Sequence, residues 1–322
     1  MKNNILYMVL PCYNEEEVLP ETSKQIKEKI LDLMDRGLIS KKSRICLVND
    51  GSTDKTWEII ERLHKEDSSV FSGMCLSRNK GHQNAVLAGM LTCKDYADMV
   101  ISMDADLQDD IDAIDGMVEK YNEGADVVYG VRSARTTDTF FKRFTAEGFY
   151  RIMNAMGAES VFNHADFRLM SKRALGGLAE FKEVNLFLRG IVPMIGYNSA
   201  VVTYERKQRF AGESKYPLKK MIIFAWEGIT SLSIKPISMI STMGFAVIFI
   251  SIIMLIYSFI SFFSGNAISG WSSIMVSIWF IGGLLLLSIG VIGQYIGKIY
   301  LETKERPRYL IKDFLNKEND EE

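Results

Sequence analysis

The residues with the strongest claim to chemistry are Asp104, Asp106 and Gln108, within Met99-Val100-Ile101-Ser102-Met103-Asp104-Ala105-Asp106-Leu107-Gln108-Asp109-Asp110. An apolar run that reads as a buried strand delivers them at i, i+2 and i+4, and an extended backbone would turn all three to one side. Hard oxygen donors with no neighbouring Cys or His favour Mg²⁺ or Mn²⁺ over zinc. Such ions commonly bridge a protein carboxylate to nucleotide phosphates. An isolated Asp-x-Asp after a strand is more often a solvated acidic turn, and the surroundings reverse that preference.

Those surroundings are a repeated unit. Ile5 to Leu10 reads as a buried strand closed by Pro11-Cys12-Tyr13-Asn14-Glu15, and Glu16 to Arg36 has helical composition. Ser43 to Val48 is a second strand, ending in Asn49-Asp50-Gly51-Ser52-Thr53-Asp54, with a helix through His64. Val70 to Leu76 is a third, ending in Ser77-Arg78-Asn79-Lys80-Gly81-His82, with a helix near Gln83 to Leu91. Asp98 to Met103 is the fourth, and Ala125 to Tyr129, ending at Gly130-Val131-Arg132, the fifth. This rhythm predicts an α/β fold, a mostly parallel sheet covered on both faces. Polar clusters after successive strands then share the carboxyl edge of the sheet, where ligands bind. Asp50, Lys80, Asp104 and Asp106 are expected to be neighbours there, with helix N-termini available to phosphate. Neither Gly-x-Gly-x-x-Gly nor Gly-x4-Gly-Lys-Ser/Thr is present, which weakens dinucleotide-binding and P-loop readings.

Composition narrows the classes. The chain has 322 residues and a formal charge of -2, which gives no case for nucleic acid as a partner. Cys12, Cys46, Cys75 and Cys93 lack metal-ligand spacing and read as reduced core residues. From Pro236 to Gly297 there is no Lys, Arg, Asp, Glu or His, while charges are dense on both sides.

Pro11-Cys12-Tyr13-Asn14-Glu15, Asn49-Asp50-Gly51-Ser52-Thr53-Asp54, Arg78-Asn79-Lys80-Gly81, Asp104-Ala105-Asp106-Leu107-Gln108 and Asp166-Phe167-Arg168-Leu169 resemble, in order, the motifs of family 2 glycosyltransferases of GT-A fold. Within that family the chain is most similar to bacterial polyprenyl-phosphate glycosyltransferases related to dolichol-phosphate mannose synthase. The resemblance implies that Pro11, Tyr13, Glu15 and Asp50 line the nucleotide pocket and that Lys80 faces the nucleotide or solvates a loop. It also implies that Asp104, Asp106 and Gln108 hold Mg²⁺ or Mn²⁺ on the diphosphate, with Asp106 counted as catalytic. Asp50 and Asp54 also suit a turn followed by a helix cap. By resemblance Asp166 lies near the acceptor as the candidate catalytic base. A phosphate monoester is largely ionised near neutral pH, however, so Asp166 orienting acceptor or metal stays open. Arg132 would meet a lipid phosphate or simply end the fifth strand.

Thr139 to Met156 reads as an amphipathic packing helix, and Tyr197 to Glu205 alternates like a strand. The latter opens into a basic, Gly-containing loop in which Arg206, Arg209, Ser214, Lys215 and Tyr216 are candidates for lipid-phosphate or diphosphate binding. Arg209, Ser214 and Tyr216 match the family's Arg-x-x-Gly-x-Ser-x-Tyr flap, and attraction of this basic segment to anionic lipid is the alternative. The Gln-x-x-Arg-Trp motif of processive synthases is replaced by Gln208-Arg209-Phe210, which argues for transfer of one sugar.

Leu218 to Ile234 has the pattern of a helix lying at a membrane surface. Ile237 to Phe263 and Ile274 to Ile296 are each long enough to cross about 30 Å of hydrocarbon as helices. Positive residues flank the pair (Lys215, Lys219, Lys220 and Lys235 before, Lys298, Lys304, Arg306 and Arg308 after), and the intervening link has no charge. The expected organisation is a cytoplasmic GT-A domain over 1–215, a juxtamembrane helix over 216–235, a two-helix transmembrane hairpin over 236–297 and a cytoplasmic tail over 298–322. The N-terminal apolar run is too short for a signal peptide. The function this implies is metal-dependent, inverting transfer of one sugar, glucose or N-acetylglucosamine, from a UDP-sugar to undecaprenyl phosphate in the cell membrane. A homo-oligomer is compatible with it. The rivals are transfer to another lipid such as diacylglycerol or ceramide, and a non-catalytic membrane partner.

Overall fold

The computed structural model describes residues 3–132, 164–184, 186–205, 230, 235–264 and 270–316. The expected helix over 139–156, the basic loop with Arg206, Arg209, Ser214, Lys215 and Tyr216, almost all of the surface helix over 218–234 and the acidic end over 318–322 lie outside the described residues.

Eight strands form one sheet: β1 (Leu6–Cys12), β2 (Arg44–Asn49), β3 (Phe71–Leu76), β4 (Met99–Ser102), β5 (Val127–Arg132), β6 (His164–Ser171), β7 (Ser199–Tyr204) and β8 (Ile311–Leu315), in the order β7-β5-β6-β4-β1-β2-β3-β8. Strands β3, β2, β1 and β4 run parallel, and β6 inserts antiparallel between β4 and β5. The helices between them are α1 (Leu19–Asp35), α2 (Thr56–Glu66), α3 (His82–Cys93), α4 (Ala113–Asn122), α5 (Lys172–Ala179) and α6 (Leu188–Met194).

Side-chain alternation along β1 explains the two-faced core. Leu6, Met8, Leu10 and Cys12 join one apolar cluster, which includes Leu19, Ile26, Ile30 and Leu33 of α1. Tyr7 and Val9 join the other, with α3, α5 and α6. Helix α3 is buried at Ala85, Val86, Leu87, Ala88, Gly89 and Met90, so its small residues permit close packing on the sheet. All four cysteines are buried and free.

Two features depart from the expectations. β4 closes at Ser102, so Asp104, Asp106 and Gln108 stand on a loop rather than on extended strand, and Leu107 takes a positive φ of 56° there. The even spacing therefore does not put three ligands on one strand face; the turn decides their direction. Part of the segment expected as a tail also folds: Ile311–Leu315 pairs antiparallel with β3, and Phe314 meets Tyr96 with ring centroids 5.8 Å apart. The motif around Asp166 is itself a strand, β6, whose antiparallel course brings its beginning to the carboxyl end of β4.

Two long helices precede β8, α7 (Lys235–Phe263, 29 residues) and α8 (Trp271–Thr303, 33 residues). Among the described residues one stretch, Phe280–Thr303, is long and apolar enough to cross a membrane, with mean hydropathy 1.8 and none of it buried. Large apolar side chains stand open on both helices, among them Phe245 at 74% exposure and Leu286 at 72%.

Candidate active site

The loops after β1, β2, β3 and β4 meet at the carboxyl edge of the sheet and bind one another. Asn14 N donates to Ser52 Oγ at 3.0 Å and Thr53 N to Asn14 Oδ1 at 2.9 Å, joining the first two loops. Glu15 N donates to Thr56 Oγ1 at 2.9 Å. Asp54 accepts from Thr56 N at 3.0 Å, at the start of α2, and from Glu16 N at 3.1 Å. Pro11 is buried inside β1, in register with Val48, while Tyr13 is exposed.

Asp50 is 2% exposed and grips the third loop: Oδ1 accepts from Lys80 N at 2.7 Å and Oδ2 from Gly81 N at 2.9 Å. Burial raises its carboxyl above the usual range, and those two amides oppose the rise. Asp50 and Lys80 are thus neighbours through the Lys80 main chain. The turn that allows this requires glycine at 51, because φ is +65° and a Cβ would overlap the Asn79 backbone nitrogen.

Asp104 and Asp106 follow on the fourth loop. Asp106 Oδ1 accepts from Gln108 N at 3.1 Å, closing the turn on itself, and Gln108 is buried. Burial raises the Asp104 carboxyl to about 6; His82 opposes the rise, and the nearby Asp166, Asp109 and Asp106 charges add to it. Asp104 thus lies among several acids, with His82 opposing them.

Asp166, near the start of β6, is in the opposite condition. Arg168 Nη2 donates to its Oδ1 at 2.6 Å, and Arg189 of α6 reaches Oδ1 with Nε at 3.3 Å and Oδ2 with Nη2 at 3.1 Å. Ser102 Oγ donates to the Asp166 carbonyl at 2.6 Å, fixing β6 against the end of β4. His82 Nε2, at the start of α3, stands between the two acids, 3.6 Å from Asp166 Oδ2 and 3.5 Å from Asp104 Oδ1. Burial would raise the Asp166 carboxyl, but His82, Arg189 and Arg168 outweigh it and hold it well below the usual carboxylate range. A carboxylate held so low accepts a proton poorly near neutral pH. His82 in turn is raised: burial would lower it, and Asp166 and Asp104 prevail.

Arg132 is turned inward. Its Nη2 donates to Asp109 Oδ1 at 3.1 Å and its Nε to Tyr204 Oη at 3.3 Å.

Among the described residues no three His, Cys, Asp or Glu side chains are arranged to hold a metal ion by themselves. A nucleotide-bound Mg²⁺ takes one or two protein carboxylates and completes its shell with substrate phosphates and water. Asp104 and Asp106 are carboxylates of that kind and would be the ones to hold such an ion. A cavity of about 800 Å³ lies elsewhere, between Lys182–Val184 and the end of α8 through Arg308, and none of these acids lines it.

Asp109, His82 and Arg168 lie inside motifs visible in the sequence, but only the fold shows what they touch. Arg189 and Tyr204 carry no local signal at all.

Residues 7–178 match the model of Glycosyl transferase family 2, and the chain belongs to that family. It is 53% identical over 307 residues to an uncharacterized glycosyltransferase, YkoT, of Bacillus subtilis, covering 95% of this chain and 91% of that one. It is 41% identical over 309 residues to the bactoprenol glucosyl transferase of Shigella phage SfX, covering 95% and 98%. Among solved structures, glucosyl-3-phosphoglycerate synthase from Mycobacterium tuberculosis in complex with Mn²⁺, UDP-glucose and phosphoglyceric acid matches with a TM-score of 0.44 at 17% identity, over 71% of this chain and 78% of that one.

Proposed function

We propose that this enzyme transfers one glucosyl unit from UDP-glucose to undecaprenyl phosphate at the membrane surface, with inversion at the anomeric carbon. The observation that carries the reading is the acidic loop of Asp104 and Asp106, set across His82 from the cation-flanked Asp166 at the carboxyl edge. Kinship with bactoprenol glucosyl transferases supports the lipid acceptor and favours glucose over N-acetylglucosamine.

The first-loop residues Tyr13 and Glu15, with Asp50 behind them, receive the nucleoside, and Lys80 lies on the loop that Asp50 anchors. Asp104 and Asp106, with Gln108 closing the turn, would hold Mg²⁺ or Mn²⁺. The ion would supply positive charge to the diphosphate as it departs. The acceptor phosphate, already ionised, needs orientation more than deprotonation. Asp166 is therefore an orienting group rather than a base: it holds Arg189 and His82 in place around the reacting centre. Arg132, Arg206, Arg209, Ser214, Lys215 and Tyr216 are the groups proposed to meet lipid phosphate and diphosphate.

The two apolar helices α7 and α8 would cross the membrane as a hairpin, with Lys235 at the start of α7, Lys298 near the end of α8 and Lys304, Arg306 and Arg308 just after it on the cytoplasmic side. Anchoring confines enzyme and acceptor to one layer and orients them for the single displacement.

The test is incubation of purified enzyme in membranes with a panel of labelled nucleotide sugars, with and without added undecaprenyl phosphate. The expected product is acid-labile lipid-linked glucose, formed only with both UDP-glucose and the polyprenyl phosphate. An acid-stable glycolipid formed on diacylglycerol would overturn the acceptor, and labelling from a different sugar would overturn the donor.

A further inference from the structure

Three elements converge on one buried carboxylate beyond the acidic pair. Asp109, 1% exposed, lies on the loop after β4; Arg132 ends β5; Tyr204 ends β7. β5 and β7 are parallel, and Arg132 is the register partner of Tyr204. Arg132 Nη2 and Tyr204 Oη both donate to Asp109 Oδ1, and Arg132 Nε donates to Tyr204 Oη. Asp109 Oδ2 is buried, and among the described residues no hydrogen-bond partner reaches it.

That pattern is a poor way to gain stability. A carboxylate kept for an ion pair does best with both oxygens on the guanidinium fork. Here one oxygen is used twice while the other lies buried without compensation, which costs stability. What the arrangement does fix is direction. Tyr204 cannot swing, because its ring packs edge-on against Phe167 with centroids 5.4 Å apart, and Phe167 follows Asp166 directly. The same trio joins the loop of Asp104 and Asp106 to the point where the chain enters the basic run at 206.

We propose that Asp109 and Tyr204 are positioning residues for the acceptor, holding the Arg132 guanidinium at the carboxyl edge where the acceptor phosphate must come to attack. The inference rests on the reading above that the acceptor is a polyprenyl phosphate met by Arg132. Neither Asp109 nor Tyr204 touches substrate; each acts through Arg132.

The test uses the full chain in lipid and detergent micelles, with UDP-glucose and undecaprenyl phosphate varied in turn. Tyr204→Phe keeps the packing on Phe167 and removes only the hydroxyl; Asp109→Asn is the second variant. Each is expected to raise the KM for undecaprenyl phosphate about tenfold, the scale of one lost hydrogen bond to a charged group, with the KM for UDP-glucose unchanged. Arg132→Ala should raise the acceptor KM further, and adding Tyr204→Phe to it should add nothing. An unchanged acceptor KM in Tyr204→Phe, an equal rise in both KM values, or full additivity with Arg132→Ala would overturn the inference. If Arg132→Ala keeps the wild-type acceptor KM, the assignment of Arg132 falls and this inference with it, while the acceptor reading stands. If wild-type enzyme releases UDP but glucosylates no undecaprenyl phosphate, the acceptor reading itself has failed.

Discussion

Two carboxylates bridged by one imidazole live under opposite electrostatics. Asp166 has Arg168, Arg189 and His82 around it and sits well below the ordinary carboxylate range, whereas Asp104, with three acids nearby, rises to about 6. The first is ringed by cations; the second, set among acids, has His82 opposing them. On the function proposed above, chemistry that needs a cation belongs to the Asp104 side, and the Asp166 side offers fixed geometry rather than a mobile proton.

The sharpest way to break this contrast is to remove a charge from the Asp104 side. Asp106→Asn keeps an acceptor for Gln108 N, so the turn survives, but transfer should fall by at least about a thousandfold, since a bound cation contributes several kcal/mol of charge stabilisation. Labelled lipid product and near-native circular dichroism, measured together, check this.

Next in size is Asp166→Asn. If Asp166 orients, kcat should fall about tenfold and the acid limb of the pH profile should persist. A true general base would cost about 10²–10⁴-fold and take that limb away. Steady-state rates across pH separate the two.

Smaller again is a stability effect on the Asp166 side. Arg168 is 1% exposed, and Arg168→Met strands part of the Asp166 charge, so unfolding free energy should fall by about 3 kcal/mol in denaturant titration. Asp166→Asn combined with Arg168→Met should recover much of that loss.

The smallest effect has the opposite sign. A carboxyl raised in the folded state binds its proton more tightly there than when unfolded, so Asp104 costs stability as pH rises from its unfolded value through about 6. With its side chain 35% exposed, the discounted penalty is about 1 kcal/mol, so metal-free Asp104→Asn should be more stable than wild type at pH 7.5 and equal to it at pH 4. Thermal melts in EDTA at the two pH values check this.

Much of the frame was legible because periodicity is local. The apolar runs at Ile5 to Leu10, Ser43 to Val48, Val70 to Leu76 and Tyr197 to Glu205 lie within a residue or two of β1, β2, β3 and β7. Asp104 and its neighbours were legible as a cluster, but not in geometry, because a turn at Leu107 replaces the extended backbone their spacing suggests. β6 and β8 owe their place to partners far along the chain. Ile311–Leu315 is a poor strand alone and becomes one against β3. Arg189 and Tyr204 were invisible for the same reason, since each matters only through an acid from another loop, Asp166 and Asp109 respectively.

The central claim, that Asp104 and Asp106 are built to receive a divalent cation with the donor's diphosphate, is tested most directly by glucose transfer in excess EDTA followed by stepwise return of Mn²⁺ or Mg²⁺. No lipid-linked glucose is expected in EDTA, with full recovery on returning the ion to wild type and none in Asp106→Asn. Undiminished transfer in excess EDTA would contradict the claim.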